Sequence, residues 1–385
     1  MGISLSIIVV TYLIYRSLCP HVWDLHYEGI FFFHIIVTVL GLMYLSSGVE
    51  SDAENYLIEG LQTNSYSYDD FTLPIGTAFI PTLVRIFAKF GITETLDFTL
   101  IFQLFGAIGI SLLYRSYSGI VGSSSVFLKF SATALMYVPG LHFWSFQVGK
   151  DGIACLSTGL LVFGLRKPNK QILYLAFSVT AMMLVRPHVA IMMMAAIAIA
   201  SLFSDRKKEV IMTSIFVIAL ISLVPFTMQY IGADTLSSLD DLQGAISTRQ
   251  SYNQEGGLGI DITTMSPPLQ IFAYLFLPLF EVPGILGTLA SIENLALLLF
   301  FLFFLGPNLA TLLKTTKFEV RAHVLFACVA TIVLATTTAN LGISLRQKYM
   351  IFPSFFALGL IAEVNRKKPK RKAKAISVEA KGLEV

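Results

Sequence analysis

Long apolar runs separated by short polar breaks dominate this chain. They lie near 3–19, 29–47, 97–114, 126–143, 148–165, 171–186, 188–204, 210–229, 288–313, 322–339 and 347–364. A helix needs about 20 apolar residues to cross a bilayer core of about 30 Å, so the pattern predicts roughly eleven spans, several of them short. Two intervals break the rhythm, at about 48–96 and about 230–287. In the first, Phe79, Ile80, Leu83, Val84, Phe87 and Phe90 recur at helical spacing, with Arg85 and Lys89 four apart. That pattern predicts a helix lying in the membrane interface, its start punctuated by Pro74, Gly76 and Pro81. The second opens with a polar, glycine-containing stretch carrying Asp240, Asp241, Arg249 and Glu255. It continues from Pro267 to Pro283 as an apolar, proline-bounded segment, either re-entrant, interfacial or a further span, with Glu281 favouring the interface.

Composition agrees with this pattern. Of 385 residues, 55% are hydrophobic and 13% charged, and the mean hydropathy is +0.73. A soluble domain carries about twice that charge fraction. The reading is an all-α polytopic membrane protein: one integral domain over 1–365, then a basic tail over 366–385. The tail begins Arg366, Lys367, Lys368 and continues with Lys370, Arg371, Lys372 and Lys374. Basic residues just after a span mark the cytoplasmic side and contact anionic lipid, so nucleic acid is not an expected partner. Arg115, Arg166 with Lys167 and Lys170, Arg206 to Lys208, and Lys314 to Arg321 fall on the tail's side when spans alternate. An odd span count then puts the N-terminus and both large loops outside. Residues 3–15 lack a preceding basic segment and a following cleavage site, so they read as a first span. Cys19, Cys155 and Cys328 show neither disulfide nor metal spacing.

The same alternation gathers six ionisable groups at the outer mouths of spans: Asp52 with Glu54, Asp69 with Asp70, His142, Lys150 with Asp151, Arg186 with His188, and Arg346 with Lys348. Ionisable groups at membrane depth are costly and are kept for function. Asp52, with Glu54 two residues on, could deprotonate an acceptor hydroxyl or bind a divalent cation. Lys150 supplies a point charge suited to phosphate, and Asp151 complements a helix N-terminus. Arg186 presents a planar fork, and His188 could shuttle a proton or bind a headgroup. Arg346 and Lys348, two residues apart, must face different sides of a helix, Arg346 being the one expected in the cavity and Lys348 the one facing headgroups. Carboxylates beside cations can transfer a sugar from a lipid phosphate: the acid activates the acceptor and the cations stabilise the departing phosphate. No glycine-rich nucleotide-binding motif accompanies them.

Asp52 early in the first large outer loop, the interfacial helix after it, "FWSFQVGKDG" at 143–152, "VRPH" at 185–188 and "NLGISLRQKYMIFP" at 340–353 resemble the GT-C superfamily of polytopic glycosyltransferases. They are also similar to Wzy-type polymerases of bacterial surface polysaccharide such as O-antigen. The resemblance implies a hexosyltransferase-type enzyme in the bacterial cytoplasmic (inner) membrane, its active face outside. It implies a polyprenyl-phosphate-linked sugar as donor, a glycan or lipid-linked acceptor, and Asp52 as the catalytic or metal-associated acid. This chain departs from the superfamily in placing that acid after a second apolar run and in having no large soluble C-terminal domain. A lipid-linked sugar transporter and a membrane scaffold are the rival classes. A transporter would be expected to show related halves, and no internal repeat is visible.

Overall fold

The computed structural model describes residues 2–18, 24–48, 51–62, 74–167, 170–203 and 258–366, with isolated positions between 216 and 254. The apolar run expected at 210–229, Asp69 and Asp70, most of the polar half of the second loop and the basic tail beyond Arg366 lie outside the described residues. Among those described the fold is helical, without a strand and with one isolated bridge, Gly259 to Asn340.

In chain order the helices are α1 (Gly2–Ser17), α2 (Leu25–Leu45), α3 (Asp52–Leu61), α4 (Phe79–Lys89), α5 (Thr95–Val121), α6 (Val126–Ala134), α7 (Pro139–Ser145), α8 (Lys150–Leu165), α9 (Gln171–Val185) and α10 (Pro187–Leu202). Then come α11 (Pro267–Phe276), α12 (Ile285–Leu313), α13 (Phe318–Thr337), α14 (Leu341–Gln347) and α15 over 352–366. Five segments among the described residues are long and apolar enough to cross a membrane: α2, α5, the joined α6–α7 segment, α12 and α13. Three shorter apolar helices, α1, α9 and α10, accompany them.

Burial separates the centre of the bundle from its edge. Within their apolar windows, 72% of α5 is buried against 28% of α2 and of α12. On α2, Phe32, Ile36, Val39 and Met43 are exposed, and so are Leu289, Ile292 and Leu299 on α12. Such continuous apolar faces suit lipid. The central seam runs between α5 and α8. A Cβ on Gly109 would lie 2.5 Å from the Cys155 carbonyl, and one on Gly159 the same distance from the Gly109 carbonyl. Glycine here lets two backbones touch, the small-residue contact that holds helices together where no hydrophobic effect operates between them.

The amphipathic pattern at 79–90 is α4, with Phe79, Ile80, Pro81 and Val84 buried. It packs on α3, and a Cβ on Gly60 would strike Val84 and the Pro81 carbonyl at 2.6 and 2.9 Å. The last apolar run, expected over 347–364, opens on a 3-10 turn before its long helix, and a separate short helix, α14, precedes it. α14 ends at Gln347, a 3-10 turn covers Lys348–Met350, and the long helix starts at 352. Pro353 sits in the first turn of that helix, where its missing N–H costs nothing.

Candidate functional site

Four segments far apart in the chain meet in one ion-pair network. Asp52 opens α3, after extended Ser51. Asp151 lies in the first turn of α8. Arg186 sits between α9 and α10, its backbone forced out of helical geometry because Pro187 follows. Arg346 is in the last turn of α14. That short helix is held at its start: the Asn340 side chain accepts from the Ile343 amide at 3.2 Å. The Ile260 amide donates to the Ala339 carbonyl and the Leu341 amide to the Leu258 carbonyl, both at 2.9 Å.

Arg346 Nη1 donates to Asp52 Oδ2 at 2.7 Å, and its Nε lies 3.0 Å from Asp151 Oδ2. The other oxygen of Asp151 accepts from Arg186 Nη2 at 2.7 Å. Asp151 thus holds one guanidinium on each oxygen. It and Arg186 are buried, 8% and 5% exposed, whereas the Asp52 side chain is 56% exposed. Charge pairing decides which burials are tolerable here, since an unpaired ion at this depth is strongly disfavoured. Lys150, beside Asp151, donates to Thr77 Oγ1 at 3.0 Å. Thr77 lies in the 3-10 turn that leads into α4, so that helix is tied to the same cluster. Three cations face two carboxylates, which leaves the cluster net positive.

Burial alone would raise the Asp52 pKa, but the hydrogen bond and charge of Arg346, with Lys150 and Arg186, outweigh it and hold the carboxyl below its usual range. Asp151, opposing burial, and then Asp52 raise Arg346 further above its already high value. Tyr56, one turn along α3 from Asp52, is pushed up to about 12 by burial and by the Asp52 charge. It stays a protonated donor near the network.

Beside the network lies a cavity between α7, α8 and the 346–350 segment. Its wall carries Trp144, Ser145, Asp151, Cys155, Arg346 and Tyr349. Two buried donors have no hydrogen-bond partner: the Tyr349 hydroxyl on this wall and, within the network, Arg186 Nε. Buried donors without partners are rare and call for an explanation, such as a ligand or water.

Other expected residues stand elsewhere. Glu54 is exposed on α3, two positions from Asp52 and so on another side of the helix. His188 opens α10, half-buried. His142 is fully buried, its ring against His34 of α2 rather than in the ion-pair network. The side it faces is the reason: its ring turns to His34 and the Met136 carbonyl, while Leu141, Trp144 and Ser145 of the same short helix line the cavity. Lys348 is fully buried and donates to Asn294 Oδ1. Its charge is balanced by Glu293, whose Oε2 accepts the Gly140 amide at 2.8 Å. A Cβ at Gly140 would collide with the Tyr349 hydroxyl and the Glu293 carboxylate. The two cations of the 346–348 turn therefore serve different groups.

Sequence reasoning missed Tyr56, Thr77, Glu293 with Asn294, and His34. For Glu293, Asn294 and His34 a signal existed, since each interrupts an apolar run. For Tyr56 the signal is its i+4 spacing from Asp52. Among the described residues no three His, Cys, Asp or Glu side chains converge as metal ligands.

No protein-family model, curated protein or solved structure matches this chain.

Proposed function

We propose that the protein is a membrane glycosyltransferase that moves a sugar from a polyprenyl-phosphate-linked donor to a glycan or lipid-linked acceptor at the outer face of a bacterial cytoplasmic membrane. The observation that carries the reading is the Asp52–Arg346–Asp151–Arg186 network with Lys150 at its edge. It is a net-positive cluster at helix ends, with an unpartnered Arg186 Nε, beside a cavity whose wall carries the unpartnered Tyr349 hydroxyl. The reading takes the basic loops as cytoplasmic and the apolar runs as roughly eleven alternating spans, an arrangement with these helix ends outside.

The difference in exposure between the two carboxylates supports distinct roles. Asp151 is enclosed and holds both guanidiniums in place. Asp52 is solvent-facing and pairs with Arg346 through a single bond. A donor phosphate arriving at Arg346, Arg186 and Lys150 competes for Arg346 and releases Asp52. A carboxylate freed from its cation becomes a better base. It takes the acceptor hydroxyl proton as that oxygen attacks the anomeric carbon. The bond from that carbon to the phosphate oxygen breaks, and the phosphate leaves with the electron pair, its charge met by the same cations. Exposed apolar faces such as that of α2 give the prenyl chain a lipid-like surface.

A polymerase that joins lipid-linked oligosaccharide repeats uses the same chemistry on a larger acceptor. Both readings are tested in cells lacking the protein, by comparing wild type with Asp52→Asn. Normal protein level with surface glycan lost and lipid-linked precursor accumulating on the outer leaflet supports transfer, and precursor length separates single transfer from polymerisation. Precursor accumulating on the inner leaflet makes the protein a transporter and ends the proposal.

A further inference from the structure

His34 on α2 and His142 on α7 face each other inside the bundle, both completely buried. Their Nδ1 atoms are 3.2 Å apart. The outward nitrogen of each ring meets a backbone carbonyl: His34 Nε2 lies 3.3 Å from the Gln103 oxygen, and His142 Nε2 lies 2.7 Å from the Met136 oxygen. A carbonyl oxygen only accepts, so each Nε2 carries its hydrogen. Two neutral rings with hydrogen on Nε2 would then point two lone pairs at each other across 3.2 Å. One more proton turns that repulsion into an N–H···N hydrogen bond.

We infer that His34 and His142 form one binding site for a single proton, held between their two Nδ1 atoms. A proton needs two donor atoms, which is what the site offers. A metal ion would require a third and fourth ligand, and no further His, Cys, Asp or Glu joins the pair among the described residues. The surroundings contribute no competing charge. α5 brings the Gln103 carbonyl, and the turn before α7 brings that of Met136. On α2, the Phe33 ring lies edge-on to His142 at 4.8 Å, and the Thr38 hydroxyl is spent on the His34 carbonyl at 2.8 Å. Tyr137 packs on Phe33 and donates to the His26 carbonyl at 3.3 Å. No described carboxylate or cation acts on either ring, and His142 feels only the charge of His34. Burial without a counter-charge opposes protonation, and relief of the facing lone pairs is what favours it. The two imidazoles therefore titrate as a unit.

The site joins two elements that lead to the ion-pair network. α2 continues toward α3 and Asp52. α7 carries Trp144 and Ser145 of the cavity wall and leads to Lys150 and Asp151. Proton uptake draws α7 onto α2, and proton loss sets their facing nitrogens against each other. The inference rests on ring geometry alone and does not depend on the transferase reading.

Nitrogen NMR of the full-length protein, labelled with ¹⁵N-histidine and held in lipid vesicles, tests it across a pH series. The expected result is that the two Nδ1 resonances shift together in a single one-proton step, with scalar coupling across the N–H···N bond while the proton is bound. His34→Asn abolishes that coupling and leaves His142 to titrate alone. Separate steps for the two rings in the wild type overturn the proposal. So does one ring fixed as the Nδ1–H tautomer throughout, or resonances that move on adding a chelator, which would reveal a metal. The wild-type spectrum decides even where the variant fails to fold.

Discussion

Asp52 and Arg346, 294 residues apart in sequence, join at 2.7 Å. Arg346 in turn reaches Asp151, which holds Arg186. One guanidinium thereby connects an exposed carboxylate to an enclosed one.

The two carboxylates should differ sharply in what they do for stability. Asp151→Asn leaves two guanidiniums at a buried site without their shared counter-charge, and losing one member of a buried pair costs about 3–5 kcal/mol. Asp52→Asn breaks a more exposed pair, worth roughly 0–1 kcal/mol. Thermal unfolding in detergent should show a large drop for the first and a small one for the second. Equal drops would mean that the network is not organised around Asp151.

Activity should follow the opposite order of subtlety. Asp52→Asn should remove transfer from a protein that is folded and inserted normally. Turnover of a lipid-linked donor by purified protein measures this, and undiminished turnover would end the role given to Asp52 as base.

The pH dependence has a defined sign. Arg346 holds the Asp52 carboxyl below its usual range, so the stabilising pair is intact at neutral pH and is lost only as pH falls through that lowered value. In the proposed mechanism, substrate phosphate takes Arg346 and lets the Asp52 value rise in the complex. The acid limb of kcat should therefore lie at higher pH than that of kcat/KM, since the first reports the complex and the second the free enzyme. Coincident limbs in a pH–rate series would show that Asp52 is not released.

Lys150 is bound to the Thr77 hydroxyl instead of being locked between carboxylates, which leaves its charge available to a ligand. Lys150→Gln should raise KM for the donor about tenfold, equivalent to about 1.4 kcal/mol, with little change in melting temperature. A change confined to kcat would place Lys150 outside donor binding.

Gly109→Leu tests the α5–α8 seam. A large side chain there meets the Cys155 backbone, which cannot rotate away, and overpacking of this kind costs about 1–3 kcal/mol or more. Lower yield of folded protein and lost activity should appear together. Normal activity would mean that α8 can move without displacing Asp151.

Much of the helical layout was legible because apolar length is a direct consequence of the bilayer. The interfacial pattern at 79–90 was legible as a helix because its large side chains repeat at 3.6-residue spacing. Arg346 was rightly expected at the cavity, but Lys348 lies in the 3-10 turn after that helix and is buried against Asn294 instead of facing headgroups. Less was legible where contact depends on the tertiary path. Nothing near His142 in sequence shows that His34 lies beside it, and nothing near Lys348 shows that Glu293 and Asn294 do. The short helix α14 and the 3-10 turn ahead of α15 were hidden, because hydropathy reports burial and not the direction of the axis. The glycines at 109 and 159 acquire their meaning only when the two helices are laid together.

That glycine seam bears on the membrane itself. Two helices in backbone contact tilt as one body, so a thinner or thicker bilayer that reorients α5 carries α8 with it. Lys150 and Asp151, at the tip of α8, then rise or sink relative to the lipid headgroups. On the proposed transferase reading, rate should vary with acyl-chain length in reconstituted vesicles, peaking where the bilayer leaves that tip level with the donor's phosphate.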